Sequence, residues 1–172
     1  MSIVIDGTGT ISGVSSTGIT TAQTVASAQL PAGTVLQVVN ALSTTRVANT
    51  TSTYVDAGVT ATITPKFSTS KILVMVTLQG LIKEVTNTTI NLKLQRNGSD
   101  LSLYTNGIIG YTNSTAVQGG GGNAFNYYDS PATTSATTYK IQIASSNNTS
   151  SVSVNDALSS SASTITLFEV AA

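Results

Sequence analysis

The chain contains no cysteine, no histidine and no tryptophan. Without cysteine it has no disulfide framework and no thiolate nucleophile, and without histidine it lacks the commonest general base and metal ligand. A glycan hydrolase would need two carboxylates in a groove with aromatic platforms, yet no two carboxylates lie on one obvious strand face. The sequence therefore predicts a protein that is not an enzyme and that binds no cofactor or metal ion.

Charged residues are scarce. Seven basic and seven acidic residues give a formal net charge of zero, and only 8% of the residues are charged. Such a surface offers nucleic acid and anionic lipid no electrostatic attraction. The longest apolar run, residues 72–76, is far shorter than the roughly 18 residues that a membrane-spanning helix needs. We therefore expect a soluble protein that binds neither nucleic acid nor a membrane.

About three residues in ten are Ser or Thr, above the usual share in globular proteins. Hydroxyl groups rather than charges are therefore expected to make the surface polar. Threonine is favoured in β-strands. Apolar and polar residues alternate most clearly within residues 71–104. Asn97-Gly98 separates two alternating runs there, and this dipeptide is typical of a type I′ hairpin turn because both residues tolerate positive φ. We expect an antiparallel sheet around this hairpin.

Alternation elsewhere predicts a chain of short strands with no clear helix, although residues 21–30 fit either a helix or an extended segment. Residues 106–126, which include four successive glycines, are predicted to form an exposed loop. Each strand has one apolar face to bury, so we predict an all-β fold, a jelly-roll β-sandwich over residues 34–172. The predicted strands are 35–41, 53–56, 59–64, 71–79, 89–96, 99–104, 137–143, 152–154 and 163–170.

Residues 1–33 are predicted to form an extended N-terminal arm, because glycines interrupt them and they have too few apolar residues for a separate core. Ordering such an arm costs about 1–2 kcal/mol per residue, which the arm cannot recover alone. It is therefore either a disordered tail or a segment held by a larger partner. In the second case, the apolar residues that would anchor it are Ile3, Val4, Ile5, Ile11, Val14 and Ile19.

Two further features admit more than one role. Phe125, Tyr127 and Tyr128 fit either an interface between subunits, where aromatic residues are enriched, or the core of one subunit. Asp129 could ligate Ca²⁺ together with carbonyl oxygens, but its place before Ser130-Pro131 favours hydrogen bonds within its own turn. The glycine run is no phosphate-binding loop, because it lacks the lysine and the strand-to-helix context; it could adapt to a receptor or be slack.

A family resemblance is carried by short segments spread over the predicted sandwich. The segments are 31–39 (PAGTVLQVV), 53–58 (TYVDAG), 63–65 (ITP) with 70–74 (SKILV), 128–133 (YDSPAT) with 138–139 (TY), and 163–170 (STITLFEV). They resemble the small jelly-roll domains found in fibres and other surface proteins of tailed bacteriophages. Within the arm, GTGTISG at 7–13 followed by STGI at 16–19 is similar to the segment upstream of such domains.

The resemblance implies a non-enzymatic structural protein of a phage virion. The family's domain is similar to the trimeric jelly roll of the tumour-necrosis-factor type, which implies a homotrimer with Phe125, Tyr127 and Tyr128 at its interface. The arm would dock on a tail or major capsid protein, and the jelly roll would lie on the virion surface. There it would contact neighbouring capsid proteins or a host-surface glycan through loops that contain Tyr104, Asn106, Tyr111, Asn113 and Asn123.

Two questions stay open at this point. The chain lacks the long shaft of large fibres, so it fits a head decoration or cement protein as well as a small tail fibre. A different class of protein, a free carbohydrate-binding module of lectin type, is the alternative to a virion protein. The necessity of residues 1–33 for incorporation into a particle would separate the two classes.

Overall fold

The computed structural model describes residues 30–84, 88–104, 119–148, 150–156 and 161–172. The predicted arm therefore lies outside the described residues, apart from its last four positions, and so do all six of its candidate anchoring residues. The described residues from Pro31 to Ala172 belong to one compact unit.

Ten strands and no helix occur among the described residues, so the predicted all-β class is confirmed. Nearly every strand coincides with a run of alternating apolar and polar residues. The strands are β1 (Val35–Ser43), β2 (Val47–Asn49), β3 (Val55–Ile63), β4 (Lys71–Lys83), β5 (Ile90–Arg96), β6 (Ser99–Tyr104), β7 (Gly119–Asp129), β8 (Thr137–Ser145), β9 (Val152–Val154) and β10 (Ser163–Val170).

The strands form two antiparallel sheets that make a β-sandwich. Sheet 1 runs β1–β10–β4–β7, and the short strands β9 and β2 extend it beyond the point where β10 leaves β4. Sheet 2 runs β3–β8–β5–β6. The chain crosses repeatedly between the sheets, so that strands distant in sequence become neighbours. This order of strands is the one expected for a jelly roll.

The core lies between the two sheets and follows the predicted alternation. In β4, for example, Ile72, Val74, Val76 and Leu78 are each no more than 1% exposed. Complete burial of such a side chain is worth about 1.5–3 kcal/mol, so these alternating positions supply most of the driving force for closing the sandwich. The other strands contribute in the same way, with inward residues that include Val59, Ile63, Ile90, Leu92, Leu94, Tyr139, Ile141, Ile143, Ile165 and Leu167.

The predicted hairpin is present between β5 and β6. Asn97 and Gly98 have φ values of 48° and 85°, as a type I′ turn requires, and Arg96 pairs with Ser99 across the turn. The turn is also tied to β8, because the amide of Thr138 donates a 2.8 Å hydrogen bond to the carboxamide oxygen of Asn97. A local sequence signal therefore specified both the turn and its register.

The prediction of an exposed loop over residues 119–126 was wrong. This segment begins β7, which pairs with β4 from Gly119 opposite Lys83 to Asp129 opposite Ile72. The glycines serve close packing: a β-carbon on Gly120 would lie 2.6 Å from the Ile82 Cδ1 atom. Packing against β4 overrides the weak strand propensity of glycine. The remainder of the predicted loop falls outside the described residues.

Smaller differences concern glycines with positive φ inside strands. The two short strands predicted around Ala57-Gly58 form the single strand β3, in which Gly58 has a φ of 73° and the pairing register shifts. In β4, Gly80 has a φ of 56°, and the strand continues past it to Lys83 instead of ending near residue 79. The shift in β4 inserts one extra residue, as a β-bulge does, and the shift in β3 inserts two, so each strand continues past its glycine.

Candidate self-association face

The outward side of sheet 1 consists mostly of apolar side chains and polar side chains without charge. Because successive side chains of a strand point to opposite faces, the partners of the core positions form a second layer that points away from the sandwich. We call this layer the outer face of sheet 1. Its residues are Val38, Asn40 and Leu42 of β1, Thr164, Thr166 and Phe168 of β10, Leu73, Met75 and Thr77 of β4, and Ala124, Asn126 and Tyr128 of β7.

One row of this face is apolar across all four strands. Val38 is opposite Phe168, Phe168 is opposite Leu73, and Leu73 is opposite Tyr128. Val38 is 52% exposed and Tyr128 is 58% exposed. Cross-strand neighbours of this kind are in contact range, so the four side chains form a continuous apolar band rather than scattered residues.

The other two rows of the outer face mix apolar side chains with uncharged polar ones, and a depression lies between their strands. Between β4 and β7, an open depression of about 160 Å³ is lined mainly by Met75, Thr77, Ala124 and Asn126, with Val76 and Phe125. Farther along the face, the Asn40 amide donates a 2.7 Å hydrogen bond to the Thr166 hydroxyl. None of the twelve residues of the face carries a formal charge. Contiguous exposed apolar surface is a feature of interaction sites, which makes this face the candidate for one.

The outward side of sheet 2 is charged and internally paired. Lys140 and Asp56 form an ion pair of 2.9 Å between β8 and β3. The Gln142 amide donates a 2.6 Å hydrogen bond to the same carboxylate. This hydrogen bond, with the contribution of Lys140, holds the pKa of Asp56 below its usual value. The arrangement suits a surface that remains in water.

A second pair on this outer face joins β5 to β6. The Lys93 ammonium lies 3.0 Å from the Asp100 carboxylate and 4.2 Å from the centre of the Tyr54 ring. The Gln95 amide donates a 2.7 Å hydrogen bond to Asp100. The hydrogen bond from Gln95, followed by that from Lys93, lowers the pKa of Asp100. Burial raises the pKa of Tyr54. Lysine over an aromatic ring is a favourable cation–π contact.

Asp129 connects the two sheets at one end of the sandwich, and its predicted role within its own turn was wrong. Its carboxylate is 6% exposed and accepts two hydrogen bonds from the Arg96 guanidinium, at 2.9 and 2.8 Å. It also accepts a 2.7 Å hydrogen bond from the Tyr139 hydroxyl. Burial, and then the bond to Asp129, raises the pKa of Tyr139 strongly. We call these three residues the Asp129 clamp.

Two more buried acidic residues have structural partners. The Glu169 carboxylate accepts hydrogen bonds from the Gln37 amide at 2.5 Å and from the backbone amide of Lys66 at 2.7 Å, which fixes the connection after β3. Asp156 accepts hydrogen bonds from the Arg46 guanidinium at 2.7 Å and from a serine hydroxyl of β9 at 2.9 Å. The bond to Asp156 raises the pKa of Arg46. Pairing of this kind is what permits charges to be buried.

The described residues include no cluster of three or more carboxylates that could hold a metal ion. The Ca²⁺ alternative for Asp129 therefore gains no support from a cluster of acidic ligands within the described part of the chain. Its oxygens are instead engaged by the clamp.

The three aromatic residues predicted as a cluster are divided between two faces. Phe125 is opposite Val76, Tyr127 is opposite Val74, and both aromatic side chains pack against the core. They therefore match the core alternative. Tyr128 alone points outwards, because adjacent residues of a strand face opposite ways.

The predicted receptor loops are described only in part. Asn123 lies within β7, opposite Leu78, so its assignment to a loop was wrong for the same reason as that of the glycines beside it. Tyr104 is the last residue of β6. Asn106, Tyr111 and Asn113 lie outside the described residues.

Sequence reasoning did not connect four apolar residues of the outer face of sheet 1 with one another, namely Val38, Leu73, Met75 and Phe168. A signal for them exists in the sequence, since both alternating sets of β4 and of β10 contain apolar residues. A strand that is apolar on both faces needs cover on both faces. Only the pairing order showed that these residues meet in one layer.

No protein-family model matches the chain, and no curated protein is significantly similar to it. Among the residues that the structure describes, no helix has the length and hydropathy of a membrane span.

Proposed function

We propose that the chain is a non-enzymatic structural protein of a tailed-phage virion and that it forms a homotrimer through the outer face of sheet 1. Residues 1–33 attach the trimer to a tail or capsid protein of the particle. The outer face of sheet 2 stays in water and points to the host surface or to neighbouring capsid proteins. The observation that carries the proposal is the contiguous, uncharged outer face of sheet 1.

The physical reason for self-association is the composition of that face. Subunit interfaces are depleted of charge at their centre and enriched in aromatic residues and methionine, as this face is with Phe168, Tyr128 and Met75. Lys71 lies at the border of this face, where its ammonium donates a 2.8 Å hydrogen bond to the Ser130 hydroxyl. Two copies can therefore cover each other without removing a charge from water, which would cost several kcal/mol per ion.

The virion part of the proposal rests on the resemblance of the segments between residues 7 and 170 to surface proteins of tailed phages. The jelly-roll order of the strands agrees with that resemblance. A fold by itself does not imply a function, so the assignment to a particle needs its own test.

The test is incorporation into particles. A variant that lacks residues 1–33 is produced during infection beside the full-length chain, and purified particles are assayed for both by mass spectrometry. We expect only the full-length chain in the particles, while the shortened variant remains a trimer in solution. Equal incorporation of the two would contradict the role of the arm, and absence of the full-length chain from particles would contradict the virion assignment.

The position of the protein in images of labelled particles then separates a tail fibre from a head decoration. Binding of a free glycan by the purified chain, together with absence of the chain from particles, would instead favour the lectin-like module.

Because the outer face of sheet 1 contains no charge, the trimer should dissociate no more readily at high salt than at low salt.

A further inference from the structure

The outer face of sheet 1 contains both a protruding aromatic side chain and a depression that fits one. We propose that Tyr128 of each copy inserts into the depression of the next copy around the trimer, an inference that rests on the proposed function. The depression is the one between β4 and β7, with Met75, Thr77, Ala124 and Asn126 at its walls.

Tyr128 is the most exposed aromatic side chain that the structure describes. Its backbone is fixed by two neighbours: Tyr128 pairs with Leu73 of β4, and the next residue is Asp129, which the clamp fixes to sheet 2. An exposed ring on a rigid backbone loses little conformational freedom on binding, which is the property of an interface anchor.

The depression matches a tyrosine ring in size and chemistry. A cavity of roughly 150 Å³ accommodates benzene, and the depression has a volume of about 160 Å³. The Met75 thioether and the Ala124 methyl group offer apolar contacts, and sulfur beside an aromatic ring is favourable. The Thr77 hydroxyl and the Asn126 amide lie at the same site and can bond a phenolic hydroxyl, which an interface tyrosine needs.

Tyr128 is not among the residues that line the depression of its own chain. Ala124, one of the lining residues, lies four residues away on the same face of β7, a separation of about 13 Å. A second copy can therefore provide the ring. A contact between two different patches of identical subunits is heterologous, and it closes into a ring when the rotation between copies allows. Three such contacts close the proposed trimer.

Disulfide trapping tests this contact directly, because the chain has no cysteine of its own. The full chain is prepared with the pair Tyr128→Cys and Ala124→Cys and oxidised mildly. Within one chain the two positions are about 13 Å apart, beyond the roughly 7 Å that a disulfide can span. We expect covalent trimers on a non-reducing gel. The matched control joins Tyr128→Cys with Thr60→Cys, which lies on the outer face of sheet 2, and should give monomers.

The outcomes separate this inference from the proposed function. Covalent dimers without trimers would indicate a two-fold contact and overturn the ring. No cross-link in a sample whose mass in solution is that of a trimer would overturn the contact between Tyr128 and the depression, while the trimer itself would stand. No cross-link in a chain that is also monomeric without the substitutions would overturn both.

A second pair of variants avoids cysteine. Ala124→Leu fills the depression, and we expect it to raise the dissociation constant of the trimer at least tenfold. Tyr128→Phe keeps the ring and should keep the trimer, whereas Tyr128→Ala should lose it. Thr60→Leu makes a comparable change on the other face and should leave the mass unchanged. A trimer that withstands both Ala124→Leu and Tyr128→Ala would contradict the inference.

Discussion

The two outer faces of the sandwich are built from the same alternation and cover the same core, yet they differ in charge. The outer face of sheet 1 presents a band of Val38, Phe168, Leu73 and Tyr128 and has no charge among its twelve residues. The outer face of sheet 2 includes the ion pairs of Lys140 with Asp56 and of Lys93 with Asp100.

The difference in charge indicates which outer face is expected to stay in water and which is expected to be covered. A charged face whose groups are already paired gains little from a partner, because surface ion pairs are solvated and contribute at most about 1 kcal/mol each. An apolar band costs free energy while it stays in water, at roughly 25 cal/mol per Å². The chain has few charges, and it places none of them on the one face that we expect other copies to cover.

The largest effect should come from placing a charge on the outer face of sheet 1. Met75→Glu puts an unpaired carboxylate into the contact, where desolvation should cost about 3 kcal/mol or more, a change of at least a hundredfold in the dissociation constant. Sedimentation velocity should show monomers. Thr62→Glu, the matched change on the exposed surface of β3, should leave the trimer intact. Equal effects of the two substitutions would remove the distinction between the faces.

The next effect concerns the Asp129 clamp, which joins the two sheets. Asp129→Ala leaves the Arg96 guanidinium and the Tyr139 hydroxyl without their acceptor, and removal of one partner of a buried pair costs about 3–5 kcal/mol. We expect about 3 kcal/mol, because the Arg96 side chain is 30% exposed. The measurement is denaturant-induced unfolding.

The double variant with Arg96→Met provides the control for the clamp. The double variant also removes the Arg96 guanidinium, which Asp129→Ala alone would leave without its partner. Its loss of stability should therefore be smaller than the sum of the two single losses. Additive losses would mean that the two side chains do not interact as the structure shows.

A smaller contrast compares one glycine from each sheet. A β-carbon on Gly80 of β4 would lie 2.7 Å from the backbone nitrogen of Asp156, whereas on Gly58 of β3 its nearest neighbour would be 3.4 Å away. Both residues have positive φ, which costs an alanine about 1–2 kcal/mol. Gly80→Ala adds overpacking and should cost roughly 2–5 kcal/mol in all. Thermal unfolding of the two variants should therefore rank Gly80→Ala as the less stable, and the reverse order would contradict the packing described.

The smallest effect should come from the outer face of sheet 2. The pKa of Asp56 is lowered, so its ionised form stabilises the fold above the ordinary pKa of 3.8, and this contribution is lost as the pH falls. Asp56→Asn should cost about 0.2–1 kcal/mol at neutral pH, because the side chain is largely exposed, and less as the pH falls below 3.8 and through the lowered pKa. Unfolding curves at pH 7 and pH 3 measure the difference; an equal cost at both would contradict the role of the carboxylate.

Local patterns predicted much of the fold. The alternation within β4, β8 and β10 and the Asn97-Gly98 turn are signals between neighbours in sequence, so most of the strands, the hairpin and the inward residues could be assigned before the structure was known, although β2 was missed. The glycine strand at the start of β7 could not be, because its reason is the Ile82 side chain of a distant strand. Propensity describes a residue alone, while strand pairing depends on what lies opposite.

For the outer face of sheet 1, too, local patterns predicted some features, while others depended on strand pairing. The alternation of β4 places Leu73 and Met75 on one side of the strand, and sequence reasoning named Tyr128, with Phe125 and Tyr127, as a possible interface residue. It could not tell that β1, β10, β4 and β7 would be neighbours, so Val38 and Phe168 were not connected with them. The roles of Asp129 and Glu169 were hidden as well, because their partners come from other strands and from a turn elsewhere in the sequence.

The most direct test of the account is the mass of the unaltered chain in solution, measured by sedimentation equilibrium over a wide range of concentrations. Burial of the outer face of sheet 1 against other copies predicts a single species of three times the 17.5 kDa of one chain, with no dependence on salt. A chain that remains a monomer at every concentration, with this face in water, would contradict the central claim.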